Sequence, residues 1–296
     1  MKTHKSQILN GMVRMVGDFK VNNLLPAGAG RSAGSVFFLD HVFPVNIQHL
    51  KSPLPNPKSA HPHRGIATFS YVFSGSLSHY DSKGNHDIIS DGGIQWMNAG
   101  NGILHNEQPF IREGDNPVFH SLQFWINLPA INKGENAEYA AVQGEDVPQF
   151  ELPGNSGYLR ILLGNYESLV SPLKTFGKEF IFHLHLQPGA EFKFSAHSMD
   201  EIAVFVPLDE IVINGTNIGS SKVFLLGNES YEIVLANKNK EAADVLLFGG
   251  PPYNEPVFAQ GPFVMNSKVE LAIAYNDMYN GIFGTIDYLN RKYVSV

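Results

Sequence analysis

Short runs that are either alternately hydrophobic and polar or wholly apolar dominate this chain, and each run closes on Gly, Asn, Asp or Pro. The pattern covers ATFSYVFSGSLSHY (67–80), VFHSLQFWINLP (118–129), EFIFHLHLQPG (179–189), EIVING (210–215), YEIVLAN (231–237) and DVLLFGG (244–250). A period of two places successive side chains on opposite faces of an extended strand, and a short apolar run bounded by turn residues fits a buried one, so these runs predict β-strands. They recur at the spacing of sandwiches and barrels, not of alternating strand and helix units. Asn214-Gly215 and Lys83-Gly84-Asn85 supply tight-turn chemistry between them. A longer helical stretch appears only late, in SKVELAIAYNDMYN (267–280), with Ser267 as candidate N-cap and Gly281 just past its end. The predicted class is all-β with a short C-terminal helix.

Length and composition refine this. A chain of 296 residues suggests two domains. Between Asn132 and Gly157 the sequence turns polar and turn-rich, which predicts a linker over 133–157 between units at 1–132 and 158–296. Apolar residues at 43% and charged residues at 17% are enough for a core and too little charge for disorder. The net charge of −7 argues against a broad phosphate-binding surface, so no direct nucleic-acid contact is expected. The N-terminus lacks a sustained apolar stretch, and the longest apolar runs, VFFL (36–39) and VLLF (245–248), are too short to span a bilayer. A cytoplasmic protein with no membrane association is the expectation. Without cysteine there is no disulfide, thiolate nucleophile or Cys-ligated metal, so any metal must be held by imidazole and carboxylate.

Eight of the twelve histidines lie between His41 and His120, which makes the two units chemically unequal. The informative stretch is His61-Pro62-His63-Arg64-Gly65. Residues two apart on a strand point the same way about 6.5 Å apart. Imidazoles there can converge on one ion at about 2.0–2.1 Å. Gly102-Ile103-Leu104-His105-Asn106-Glu107 repeats the geometry with an imidazole and a carboxylate. Two such strands facing each other supply three nitrogens and one oxygen, which suits iron, manganese, nickel, copper or zinc better than magnesium or calcium. A single HxH on a strand is more often a surface accident than a site, and the HxE pair raises the metal reading only in part.

HPHRGIATFSYVFSGSLSHYDSKGN followed by DGGIQWMNAGNGILHNE resembles the pirin family, a branch of the cupin superfamily. The resemblance extends through FFLDHVF (37–43), HSLQFWINLP (120–129), GGPPYNEPV (249–257), GPFVMN (261–266) and YNGIFG (279–284), most of the chain. It implies a bicupin of two facing jelly-roll barrels, with one divalent transition metal per chain in the N-terminal barrel and none in the C-terminal one. The implied ligands are His61, His63, His105 and Glu107, all present. Fe(II) is the first expectation for the ion, with Zn, Mn, Ni and Cu as alternatives. The family usually carries Glu two residues after the Gly of HPHRG, where this chain has Ala67. That departure leaves the ligand set intact and is expected to change the polarity around it.

Other candidates carry less. His183 and His185 form another HxH without a second pair and read as a polar strand face. His79 and His86 flank the DSKGN turn and are expected in solvent, and His41 is expected to be structural. The glycine-rich run 28–34 lacks the Lys-Ser/Thr ending of a phosphate loop, and no G-x-S-x-G elbow is present. Trp96, Met97, Gln123 and Trp125 border the expected metal; such side chains are mostly core filler, and some are pocket candidates.

Pirin-like proteins resemble quercetin 2,3-dioxygenases, so the resemblance implies oxygenation of a small aromatic, flavonol-like substrate. Glu107 is a candidate base, although a ligating carboxylate loses basicity. Other relatives imply a metal- or redox-dependent regulator that binds a transcription factor or metabolic enzyme. A third reading is a scaffold that the metal only stabilises.

Overall fold

The computed structural model describes residues 5–25, 32–49, 56–111, 116–197, 200–227 and 232–289. Nearly all regular structure is strand, with one α-helix, Lys268–Tyr279, among the described residues. The all-β class with two cupin units and a short C-terminal helix is therefore correct. No helix among the described residues is long and apolar enough to cross a membrane. Residues 28–31 of the glycine-rich run lie outside the described residues.

Contacts divide the chain into two compact units. One comprises Met1–Arg14, Asn22–His41 and Val147–Tyr253; the other Met15–Val21, Val42–Asp146 and Asn254–Val296. The stretch 133–157 is more ordered than a linker. Its strand Glu138–Val142 pairs with Ile94–Asn98, and its strand Gln149–Glu151 pairs with Gly157–Leu163. Both lie at sheet ends and are mostly half-buried or exposed, so their composition looks like that of a loop. Residues beyond Asn254 group with the first half of the chain rather than the second.

In the unit built on Val147–Tyr253, a seven-stranded sheet runs Gln7–Leu9, Lys222–Leu225, Glu201–Val206, Ala243–Gly250, Phe180–Leu186, Gly157–Leu163, Gln149–Glu151. A four-stranded sheet holds Glu191–Ser195, Glu232–Ala236, Ile211–Ile213 and Thr216–Ile218. The last two strands are joined by Asn214-Gly215, both with positive φ, as a two-residue hairpin requires. Alternate residues Phe180, Phe182, Leu184 and Leu186 enter an apolar core with Val204, Val245 and Leu247.

In the unit built on Val42–Asp146, one sheet holds His61–His63, Ile103–Phe110, Ser76–Asp81 and His86–Ile89 in that order. Four strands lying wholly in this unit, Glu138–Val142, Ile94–Asn98, Ile66–Ser74 and Val118–Asn127, run in order within a second sheet. The helix starts as its sequence predicts: the Ser267 side chain accepts the Glu270 N–H, and Gly281 follows with φ +72°.

Candidate metal centre

Antiparallel register brings the two motifs together. His105 pairs with His61, and Ile103 pairs with His63, on neighbouring strands. On its other side the same strand sets His105 opposite Asp81 and Glu107 opposite His79. Residues two apart share a face, so His61, His63, His105 and Glu107 all point one way.

The three imidazoles meet. Their ring centroids lie 5.1 Å (His61–His63), 4.4 Å (His61–His105) and 4.9 Å (His63–His105) apart. His61 Nδ1 donates to Ser59 O at 3.0 Å and His63 Nδ1 to Pro262 O at 3.3 Å. A neutral imidazole has one proton to give, so these carbonyls fix the tautomer and leave Nε2 of each ring as the nitrogen that carries the lone pair. His61 Nε2 lies 3.0 Å from His105 Nε2, and buried His63 Nε2 has no hydrogen-bond partner. Each of the three offers a nitrogen within 4.8 Å of the others. Burial, helped by the neighbouring His61, pushes the His63 imidazole down to about 3, and the same causes hold His105 well below its ordinary value. Convergent imidazoles, two of them buried and held neutral and one with an orphaned Nε2, are what a divalent transition ion requires, so the residues fit one. His61 is exposed while His63 and His105 are buried, so the cluster reaches solvent on one side.

Glu107 is placed differently. Its carboxylate accepts from the amides of Gln95 and Gln123 (2.6 Å) and from Ser70 Oγ (3.3 Å). It lies 3.9 Å from His105 Nδ1, on the side of that ring away from Nε2, and groups with His79 and His105. Sequence reasoning missed Gln95 and Ser70. The signal was available: Gln95 is two before Met97, and Gln95–Ser70–Gln123 form one row across the sheet. Thr68, Met97 and Trp125 form the next row, and the Trp125 ring meets His63 at 4.9 Å. Trp96 falls on the opposite face with Phe69 and Phe124. Ala67 pairs with Ile126 on that same opposite face, so the position where the family carries Glu does not point at the histidines.

The expectation for His79 and His86 is overturned: both are buried. Strand Ser76–Asp81 is covered on both faces, so a polar side chain on it needs partners rather than solvent. His79 Nε2 donates to Asp81 Oδ2 at 3.2 Å and its ring stacks on Tyr139, whose hydroxyl donates to Gln95 Oε1 at 3.1 Å. His86 stacks on Tyr80.

In the other unit, His41 is buried with Nδ1 2.9 Å from Ser221 Oγ. His183 Nε2 and His185 Nδ1 both donate to Asp244 Oδ1, at 3.0 and 2.7 Å. Among the described residues, the groups with metal-like spacing are the two that contain His105, and His183 and His185 are in neither. Burial raises the Asp244 carboxyl, but hydrogen bonds and charge from His183 and His185 outweigh it and hold it at about 2. A depressed carboxyl stabilises the fold above its ordinary 3.8, and that contribution is lost as pH falls through about 2. Urea midpoints measured between these pH values should therefore fall more steeply for wild type than for Asp244→Asn; parallel curves would exclude the coupling.

Comparison with known proteins agrees with this architecture. The Pirin family model matches residues 18–126, and the model of the Pirin C-terminal cupin domain matches 181–284. Pirin-1 of Arabidopsis thaliana is 32% identical over 224 residues, 74% of this chain and 76% of the relative. The crystal structure of quercetin 2,3-dioxygenase from Acinetobacter baumannii superposes with a TM-score of 0.85 at 31% identity, covering 97% of this chain and 99% of that one. A bacterial pirin from Escherichia coli in complex with nickel(II) shares the fold, with a TM-score of 0.64 at 16% identity over 84% of this chain and all of its own. Two pirin-type domains, and a relative aligned over most of both chains, establish that this chain belongs to the pirin family of bicupins.

Proposed function

We propose that this protein is a metal-dependent dioxygenase of small aromatic, flavonol-like substrates, with His61, His63 and His105 holding the ion and Glu107 supplying the anionic donor beside them. The observation that carries this is the meeting of three imidazoles, two of them oriented by backbone carbonyls. A divalent transition ion, Fe(II) in first place and Zn, Mn, Ni or Cu in its stead, would supply Lewis acidity and, for the redox-active ions, electron exchange with dioxygen.

The protein's own residues do the rest. His63 and His105 are buried and held neutral, which keeps their lone pairs for a ligand. Trp125, edge-on to His63, presents an aromatic surface beside the centre, and Gln123 two residues earlier shares its face. The exposed edge at His61 gives a substrate its approach. Gln95, Gln123 and Ser70 keep the Glu107 charge solvated by fixed donors. The match to a quercetin 2,3-dioxygenase over nearly the whole chain supports the substrate class.

Anaerobic purification with elemental analysis, then an oxygen-electrode screen of flavonols on iron, manganese, nickel and copper forms, tests the proposal. Flavonol-dependent dioxygen uptake that scales with bound metal is expected. Metal without uptake in any form would remove the dioxygenase and leave a metal-dependent regulatory protein.

A further inference from the structure

The GPFVMN stretch, residues 261–266, enters the account above only through the Pro262 carbonyl, yet more of it is built into the centre. Pro262 supplies the carbonyl that receives His63 Nδ1–H. Val264 donates its N–H to Arg64 O at 3.1 Å, and Phe263 forms a parallel bridge with Arg64. The two backbones touch at Gly65, where a Cβ would stand 2.0 Å from Val264 O. Buried Lys133 donates to that same Val264 O and to Asn127 Oδ1, both at 2.8 Å, and so ties this stretch to the barrel. Arg64 in turn donates to Asp277 Oδ2, on the helix Lys268–Tyr279, at 2.6 Å. Both side chains of that pair are largely shielded, 15% and 27% exposed, where a charge-assisted bond holds its geometry.

We propose that Pro262–Val264 and Asp277 are positioning elements of the metal centre, fixing the ring orientation and tautomer of His63 so that Nε2 is presented to the ion. The proposal rests on the metal-binding reading. His63 is clamped twice by one segment, at its ring through Pro262 and at its neighbour Arg64 through Val264, and Arg64 is held again from the helix by Asp277. The C-terminal helix and the ion are then thermodynamically linked: whatever loosens the helix weakens the ion, and the ion tightens the helix by the same factor. Pro262 acts through a main-chain carbonyl, so the accessible handle is Asp277.

The test compares Asp277→Ala and Asp277→Asn with Tyr279→Ala, a substitution at an exposed position of the same helix. Two readouts are taken: cobalt(II) affinity with its visible spectrum, and histidine ring ¹⁵N shifts in metal-free protein, which report the His63 tautomer. Loss of a group bonded directly to a ligand costs roughly 10–100-fold in metal affinity; Asp277 acts through Arg64, so Asp277→Ala should cost less than that, about 3–10-fold, with a changed cobalt spectrum. The Nδ1–H tautomer of His63 should become mixed in the same variant. Asp277→Asn keeps an acceptor and should lose less, and it replaces Asp277→Ala should that variant fail to fold. Tyr279→Ala should match wild type. A lowered melting temperature in Asp277→Ala with cobalt affinity, spectrum and tautomer unchanged would reduce the segment to packing and overturn the proposal. Wild-type protein that takes up no cobalt would remove the metal reading instead, and the tautomer measurement would then decide the positioning of His63 by itself.

Discussion

Replacing His63 with Ala is expected to empty the protein of metal, while replacing His183 with Ala leaves metal content at the wild-type level of about one ion per chain. His63 Nε2 is buried without a partner, and its other nitrogen is committed to Pro262, so this ring has no structural duty that would compete with ligation. Without it the convergent set shrinks to His61 and His105. The loss should exceed the ~100-fold that an outer-shell change costs. His183 has a different fate: its Nε2–H is spent on Asp244, which also holds His185. Removing it should lower stability by about 1.5–3 kcal/mol, the cost of a lost hydrogen bond to a charged group, and leave the metal untouched. Elemental analysis of the two variants after anaerobic purification separates them. If His183→Ala, rather than His63→Ala, comes out metal-free, the centre has been placed in the wrong unit.

The contrast between these two HxH pairs shows how far sequence reasoning reaches. Both sit on strands whose alternation is plain, and Phe180, Phe182, Leu184 and Leu186 enter the core as period two requires. Spacing alone does not separate them; the partner strand does, because register sets His105 against His61 but Asp244 against His185. Local signals were legible where they are self-contained: the Ser267 cap, the Asn214-Gly215 hairpin and the glycine after the helix. Three features were not. Strand Glu138–Val142 has half-buried and exposed positions throughout, so its composition mimics a loop. Strand Ser76–Asp81 is buried at every position, which erases the alternation that would have shown His79 to be interior. Residues 254–289 group with the first half of the chain through contacts such as Arg64–Asp277 and Lys133–Val264, which no local pattern announces.

Glu107→Gln is expected to lower turnover by more than it lowers metal content, and the surroundings of Glu107 say why. The carboxylate receives two amide donors and a hydroxyl, and both of its oxygens are engaged. A glutamine at 107 has one acceptor oxygen, so its own NH₂ must face a side-chain amide that now donates. Gln95 is held in its present orientation by the Tyr139 hydroxyl, which would have to turn from donor to acceptor for that amide to reverse, so the mismatch is expected first at Gln123, which shares a face with Trp125. His61, His63 and His105 are unchanged, so most of the metal should stay. What disappears is a negative charge in a low-dielectric interior, and with it the field that favours the more oxidised state of an ion beside His105. Losing a charge-assisted hydrogen bond costs about 1.5–3 kcal/mol, which applied to the barrier is roughly a 10–100-fold fall in rate. Dioxygen consumption with quercetin, normalised to bound iron and set against the His63→Ala background, measures it. A protein that uses its metal only as a staple would behave otherwise: Glu107→Gln would shift melting temperature and metal retention together, with no flavonol-dependent uptake to lose. Turnover per bound iron equal to wild type would show that Glu107 neither supplies the anionic donor nor tunes the ion, and would leave the three imidazoles as the whole of the centre.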